Sequence, residues 1–454
     1  MALLPSDAAL GSLKEGLRGQ LLQPDDDGYD AARQVWNAMI DRRPGLIVRC
    51  VGPADAMAAV AFAREHDLLL SVKSGGHNVA GNAVCDGGLM VDLSLMKGVQ
   101  INPSTMTARV EPGVLWEEFD AEAGAFRLAT VGGVVGSTGV AGLTLGGGQG
   151  WLSGKHGLTI DNLLSVDLVT ADGQLLTASA EQHPDLFWAM RGAGANFGIA
   201  TSFEYRLHHV PAVLGGMVIH ALDRGRDVLR FYREFAASQP DELTTYAAVL
   251  TGPGGEVVVA LVACYAGAIE EGENVLAPLR GYGRPLADTI APIPYTTMQS
   301  TIGPGFPHGR LNYWKSGLTR LIADEVIEAV VAYGRRVPSP HTAVVFGDCH
   351  GACGRVGKTD TAYYHRDLPF DLMILGSWID PADSEENIRW IRDLFRSVEP
   401  HLGGGVYVND LDRDEAPERI RRAYGANHER LLALKQRYDP TNRFRMNHNI
   451  VPTV

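Results

Sequence analysis

Between Val131 and Gly150, nine of twenty residues are glycine, and most of the others are Val, Leu and Thr. A flexible linker would be polar and rich in serine. An apolar glycine ribbon reads instead as buried backbone lying against a flat ligand, where no side chain fits. Whatever fold the chain adopts must bring this ribbon inside.

A second glycine loop stands upstream. The apolar strand Leu68 to Val72 runs into Ser74-Gly75-Gly76-His77-Asn78-Val79-Ala80-Gly81. Glycine there permits turns closed to other residues and lets a ligand's phosphates approach main-chain N–H groups. A nucleophilic imidazole held in such a loop can bond covalently to what the loop grips, although most histidines in such loops are merely solvated.

The 454 residues predict two large domains. Apolar content of 45% with 20% charged residues describes an ordinary globular chain with ample core. A net charge of −13 argues against nucleic acid or an anionic membrane surface as partner. No run approaches the ~20 apolar residues that span a bilayer. The first residues lack a basic segment followed by an apolar core, and five scattered cysteines make no disulfide framework, so a reducing cytoplasm is expected.

Strand and helix signals alternate up to about residue 212. A helical pattern runs from Ala31 to Met39, strands cover Leu46–Cys50 and Leu89–Leu93, and Ala54–His66 and Trp116–Ala123 read as helices. A hairpin joins Leu164–Thr170 to Gln174–Thr177 across Ala171-Asp172-Gly173. From residue 213 to 405 longer strands (Gly216–His220, Thr245–Leu250, Val257–Tyr265, Thr342–Phe346, Phe370–Trp378) mix with helices, which predicts an antiparallel sheet covered on one face. The tail, 406–454, carries a helix from Pro417 to Tyr438.

Rival motifs fail. Gly146-Gly147-Gly148-Gln149-Gly150 is not G-x-G-x-x-G between strand and helix, and no P-loop or Gly-x-Ser-x-Gly elbow is present. Cys349-His350-Gly351-Ala352-Cys353 lacks a second paired set of ligands, so no metal site is expected.

Taken in order, Ser74-Gly75-Gly76-His77, Asp86-Gly87-Gly88 to Asp92-Leu93-Ser94, the ribbon to Trp151, Gly157 to Asn162, Arg191 to Gly198, and the closing Tyr407-Val408-Asn409 and Tyr438 to Ile450 resemble the berberine-bridge-enzyme-like flavoproteins. These belong to the vanillyl-alcohol oxidase and p-cresol methylhydroxylase (PCMH) superfamily, and the resemblance is strongest to the bacterial branch that includes 6-hydroxynicotine oxidase. It implies an α+β fold: a two-lobed PCMH-type FAD-binding domain (1–212, with 406–454 returning to it) and a substrate domain (213–405) with an antiparallel sheet covered by helices.

By that resemblance His77 is the histidine bonded to the 8α carbon of FAD. The second, cysteinyl link of many relatives falls on Val135, so a single covalent bond is implied. Lys73, where relatives usually have arginine, Ser74, Gly75, Gly76, Asn78 and Gly81 would cradle the pyrophosphate. Val131, Gly132, Gly133, Gly139, Gly142 and Gly147 would line flavin and adenosine, with Ile199 at the adenine end and Asn447 and Asn449 near the ring. Thr138 matches the position beside the carbon where dioxygen reacts, and its compact side chain favours an oxidase that releases hydrogen peroxide.

Many relatives end in Tyr-x-Asn-Tyr, whose second tyrosine takes a substrate proton. Here the sequence is Tyr407-Val408-Asn409-Asp410. Asp410 is either a buried base of tuned pKa or a solvated loop acid in a run with Asp412, Asp414 and Glu415. Tyr407 would pack on the flavin edge. His350, His365 and Tyr313 are further catalytic candidates from the substrate domain. The implied activity is oxidation of a C–H next to nitrogen or oxygen in a small aromatic, alkaloid-like or secondary-metabolite substrate, by a monomer or homodimer. The alternatives are a dehydrogenase of the same fold using another acceptor, sugar substrates included, and a non-redox flavoprotein scaffold or cyclase.

Overall fold

A computed structural model describes residues 5–453. The described residues build four sheets; one is a two-stranded ladder of Leu128–Ala129 with His208–His209, and the three larger ones meet around one cavity.

The first sheet has four strands. Leu46–Arg49, Leu89–Asp92 and Leu70–Lys73 run parallel, with Val48 and Val72 both paired to Val91, and Gln20–Leu22 adds an antiparallel edge. The helix Pro53–Glu65 starts with proline in its first turn, where a missing N–H costs nothing, and buries Ala56, Ala59, Val60 and Ala63 against these strands. The second sheet is antiparallel, in the order Val99–Asn102, Thr107–Val110, Ile199–Arg206, Leu163–Val169, Leu175–Ser179. Its last two strands form the hairpin expected from Ala171-Asp172-Gly173.

The third sheet is antiparallel along its main path: Ala287–Asp288, Val213–Ala221, Val257–Tyr265, Leu243–Thr251, Ala343–Asp348, Phe370–Trp378 and Leu311–Thr319. Alternate residues of these strands face opposite sides. Ala247, Leu261, Phe346, Leu372 and Ile374 turn toward the helices Gly225–Ala236, Asp324–Gly334 and Ser384–Val398. Tyr246, Val262 and Cys264 turn the other way and pack on Val131, Trp151 and Leu152. The face turned away from those three helices therefore closes over the glycine ribbon, with the short helix Tyr295–Ser300 packed beside it.

Two local expectations are corrected, and two further elements had no expectation attached. The helix placed at Ala31–Met39 covers only Tyr29–Arg33, and the chain then extends so that Trp36 reaches the loop at His77. Within the ribbon, Val140–Gly146 forms a short helix. The helix expected over Pro417–Tyr438 divides at Gly425, which has φ of +49°, into Pro417–Tyr424 and His428–Tyr438. The strand Leu311–Thr319 was not anticipated.

Candidate functional site

The loop after Leu70–Lys73 meets the ribbon backbone to backbone. A Cβ on Gly75 would stand 2.6 Å from the N and Cα of Gly139, and one on Gly139 would stand 2.6 Å from the N of Gly75. Only glycine at both positions lets the two segments touch. Gly76 and Gly81 have φ of +66° and +72°, the left-handed region that favours glycine.

His77 emerges from this loop into the cavity. Trp36 stacks on its ring at 4.4 Å between centroids and 17° between planes. Its Nε2 lies 3.2 Å from Ser137 Oγ, which leaves Nδ1 as the nitrogen without that partner. Burial, reinforced by the nearby His308, pushes its pKa down to about 3. The imidazole is neutral at physiological pH and keeps a nucleophilic lone pair.

One continuous cavity joins Ser74, Gly75, Gly76, His77 and Asn78 to Gly133, Val135, Thr138, Gly139 and Gly142, and then to Ile199, Tyr407, Asp410 and Asn447. Gly142 has nothing within 4 Å of where a Cβ would sit. Several other expected contacts lie behind the wall rather than on it. Lys73 donates to the Ala32 carbonyl at 2.5 Å, and burial lowers its pKa. Gly132 faces the Trp116 ring, Gly147 faces the rings of Tyr363 and Tyr407, and Gly81 faces Ile40. Val131 is fully buried, and its carbonyl accepts from Thr159 Oγ1 at 2.7 Å. Asn449 does not line the cavity, although its Oδ1 is buried without a partner. Ser74 lines the cavity while its hydroxyl donates to the Pro112 carbonyl.

The opposite wall is the face of the third sheet turned away from the helices Gly225–Ala236, Asp324–Gly334 and Ser384–Val398. Tyr246, Val345, Met373, Leu375 and Trp314 line it, joined by Ile302 and Phe306 from a loop. Strand register explains the set: Val345 pairs with Met373, and Leu375 pairs with Ala343 on one side and Trp314 on the other. The wall is apolar and aromatic.

At its edge stand Tyr407, Asn409 and Asp410. The Tyr407 hydroxyl accepts from the Gly148 N–H at 2.8 Å and from Asn409 Nδ2 at 2.7 Å, and burial pushes its pKa up. It is held as a neutral phenol. Asp410 lines the cavity, and among the described residues no N–H or O–H donates to its buried Oδ2. The solvated-acid alternative for Asp410 is thereby corrected: burial, with Asp371 alongside, raises its pKa well above the carboxylate range. Its neighbour Asp412 is also buried, where it accepts from the Trp314 N–H at 2.9 Å.

The three other catalytic candidates point elsewhere. His350 packs against Asp348 (Nδ1 to Oδ2, 2.6 Å), Gln239 and the Pro240 carbonyl, outside the cavity. His365 bonds the Arg422 carbonyl at 2.6 Å. The Tyr313 hydroxyl donates to Asp414 at 2.7 Å and accepts from Arg392 Nε at 2.9 Å, with burial pushing its pKa up to about 12. Each is engaged by structural partners.

Sequence reasoning missed Trp36, Ser137, the sheet-wall residues and Asp371. Only Asp371 carried a readable signal, as a lone acid in the apolar strand Phe370–Trp378 with the same parity as Met373 and Leu375.

Comparison with known proteins agrees with this geometry. An FAD binding domain model matches residues 44–179, and a model described as berberine and berberine like matches 406–451. The chain is 32% identical to (R)-6-hydroxynicotine oxidase of Paenarthrobacter nicotinovorans over 96% of this chain and 97% of that one. It superposes on the crystal structure of 6-hydroxy-D-nicotine oxidase from Arthrobacter nicotinovorans with a TM-score of 0.87 at 31% identity, covering 96% and 98% of the two chains. A chitooligosaccharide oxidase shares the fold, with a TM-score of 0.88 at 23% identity over 99% and 100%. Bracketed by the two family models and matched end to end by an enzyme at 32% identity, this chain belongs to the berberine-bridge-enzyme-like family of FAD-linked oxidoreductases.

Proposed function

We propose that this oxidoreductase is a singly covalent flavin oxidase, with FAD joined through its 8α carbon to His77 and dioxygen as electron acceptor, acting on a small aromatic or alkaloid-like substrate. The observation that carries this reading is the continuity of one cavity between a neutral, nucleophilic His77 and an aromatic wall bearing a single acidic edge.

The residues present fit FAD. The glycine loop and ribbon expose backbone along one side of the cavity, and buried polar atoms without protein partners line it: Gln149 Nε2, Asn447 Oδ1 and His448 Nε2. Val135 lines the cavity where doubly linked relatives have cysteine, which supports one covalent link. When bound, FAD supplies the hydride acceptor and returns the electrons to dioxygen as hydrogen peroxide.

Trp36 and Ser137 fix the plane of the His77 ring, so its nucleophilic nitrogen is oriented before any ligand arrives. Thr138 leaves space on the cavity wall for dioxygen. The sheet wall excludes water and stacks an aromatic substrate, while Asp410 Oδ1 accepts a proton from the hydroxyl or amine next to the bond that is oxidised. A carboxylate suits that task when burial raises its pKa toward neutrality. Oligosaccharides fit poorly, since desolvating many hydroxyls against Val345, Met373 and Leu375 leaves them without hydrogen bonds.

The test mixes the purified holoenzyme anaerobically with (R)-6-hydroxynicotine, a panel of aromatic amines and benzylic alcohols, and xylo- and chito-oligosaccharides. Bleaching of the flavin by an aromatic member, with peroxide formed when air is admitted, is the expected result. Bleaching by oligosaccharides alone would overturn the substrate class, and flavin that stays reduced in air would overturn the oxidase reading.

A further inference from the structure

Behind Asp410 lies a second acid that does not reach the cavity. Asp371 is 1% exposed on the strand Phe370–Trp378, second from the sheet's edge, opposite Gly347 on one neighbouring strand and Leu318 on the other. Its carboxyl lies within hydrogen-bonding reach of the Asp410 carboxyl. Among the described residues, no N–H or O–H donates to either oxygen of Asp371 or to Oδ2 of Asp410. Two ionised carboxylates in that position would leave three buried acceptor oxygens with no donor among them, at a depth where one uncompensated charge is already costly.

We propose that Asp371 is a positioning residue that shares one proton with Asp410, so that the pair carries a single negative charge and accepts the substrate's proton as a unit. This rests on the reading of Asp410 as the base. In the step itself the substrate's O–H or N–H bond breaks, an O–H bond forms on the pair, and the pair becomes neutral. The hydride leaves separately to FAD.

The surroundings enforce one proton rather than none. The groups facing the pair are phenols: Tyr246 from the strand Leu243–Thr251, Tyr363 from the loop preceding Phe370, and Tyr407 beside Asp410. Burial holds all three neutral, and among the described residues no Lys, Arg or His acts on either carboxyl. Burial raises Asp371 to about 6, and burial together with the Asp371 charge raises Asp410 further. Like charges at contact cannot both ionise in a dry site, and the resulting protonation steps belong to the pair. The lone acid in an apolar strand, otherwise an expensive choice, thus has a use.

The test is infrared difference spectroscopy of the holoenzyme titrated across neutral pH, on wild type, D371N and D410N. Wild type should lose a protonated-carboxyl C=O band as pH rises, and the same component should be missing from both variants. In D371N the amide donates to Asp410, no like charge opposes it, and the acidic limb of the flavin-reduction profile should move down by about one pH unit or more. A D371N spectrum and profile superimposable on wild type would overturn the shared proton. If D371N does not fold, D410N carries the spectral test alone, since retention of the full band there is equally fatal. Undiminished flavin reduction in D410N would instead remove Asp410 as base. An impaired D410N beside an unshifted D371N leaves the base in place and discards only the pairing.

Discussion

Ser137 and Trp36 make His77 more than a histidine near a ligand. A ring stacked at 4.4 Å and held at Nε2 has one orientation and one free nitrogen. Ser137→Ala should leave FAD binding intact but lower the covalently held fraction, read as in-gel flavin fluorescence after denaturation. An unchanged covalent fraction would show that Ser137 does not orient the ring. Thr138→Leu should slow reoxidation of the reduced enzyme by about tenfold or more, equivalent to about 1.4 kcal/mol of barrier, in a stopped-flow mix with air-saturated buffer. At this scale the sequence was readable where a residue type has few uses. A histidine in a glycine loop is such a case. Asp410 was not, because a carboxylate in an acidic run looks the same whether its backbone turns inward or outward. Trp36 and Ser137 matter through contacts with residues distant in the chain, and no local pattern announces those.

Among the elements, the long strands of the third sheet were legible because Val257–Tyr265 and Phe370–Trp378 are apolar through their length. Leu311–Thr319 hid behind Asn312, Lys315 and Ser316, which read as loop. Lys315 is in fact a buried cation shared by two carboxylates, bonded to Asp414 at 2.7 Å and Glu415 at 2.6 Å, charges supplied by the tail about a hundred residues later. The C-terminal helix His428–Tyr438 docks by a similar device. Lys435 and Asp439 are fully buried one turn apart; Lys435 donates to the carbonyls of Asn196 and Phe444, and Asp439 accepts from the N–H groups of Arg443 and Phe444. Lys435→Met strands the Asp439 charge in the interior and should cost about 3–5 kcal/mol, measured by denaturant unfolding. A loss under 1 kcal/mol would mean that Asp439 finds another donor or protonates cheaply. The break at Gly425 escaped notice because helical periodicity continues across it, whereas the φ of +49° belongs to the backbone alone.

For the whole molecule, the cavity exists only because the third sheet is clamped over the FAD-binding lobes. Part of that clamp titrates. Gln299, on the helix Tyr295–Ser300, donates to Asp120 at 2.8 Å and to the carbonyl of the cavity-lining Gly133 at 3.3 Å. Burial raises Asp120 to about 7 from an ordinary value of 3.8. The folded state therefore binds a proton that the unfolded state has released between these values, and this contribution is complete below the unfolded pKa and lost as pH rises through 7. Thermal melts should show Asp120→Asn removing a contribution that falls as pH rises from 3.8 to about 7 and is flat above it; an unchanged Tm profile over that window would mean that Asp120 does not titrate as described. The overall architecture was readable from the order of motifs, since the glycine loop, the ribbon and the closing segment each need the others to enclose anything. The covalent bond at His77 is the claim on which the remaining chemistry depends. Acid precipitation of the purified yellow protein, wild type beside His77→Ala, tests it most directly. Colour should stay in the wild-type pellet and leave with the supernatant of the variant, whereas a wild-type pellet that releases all its flavin would contradict the account.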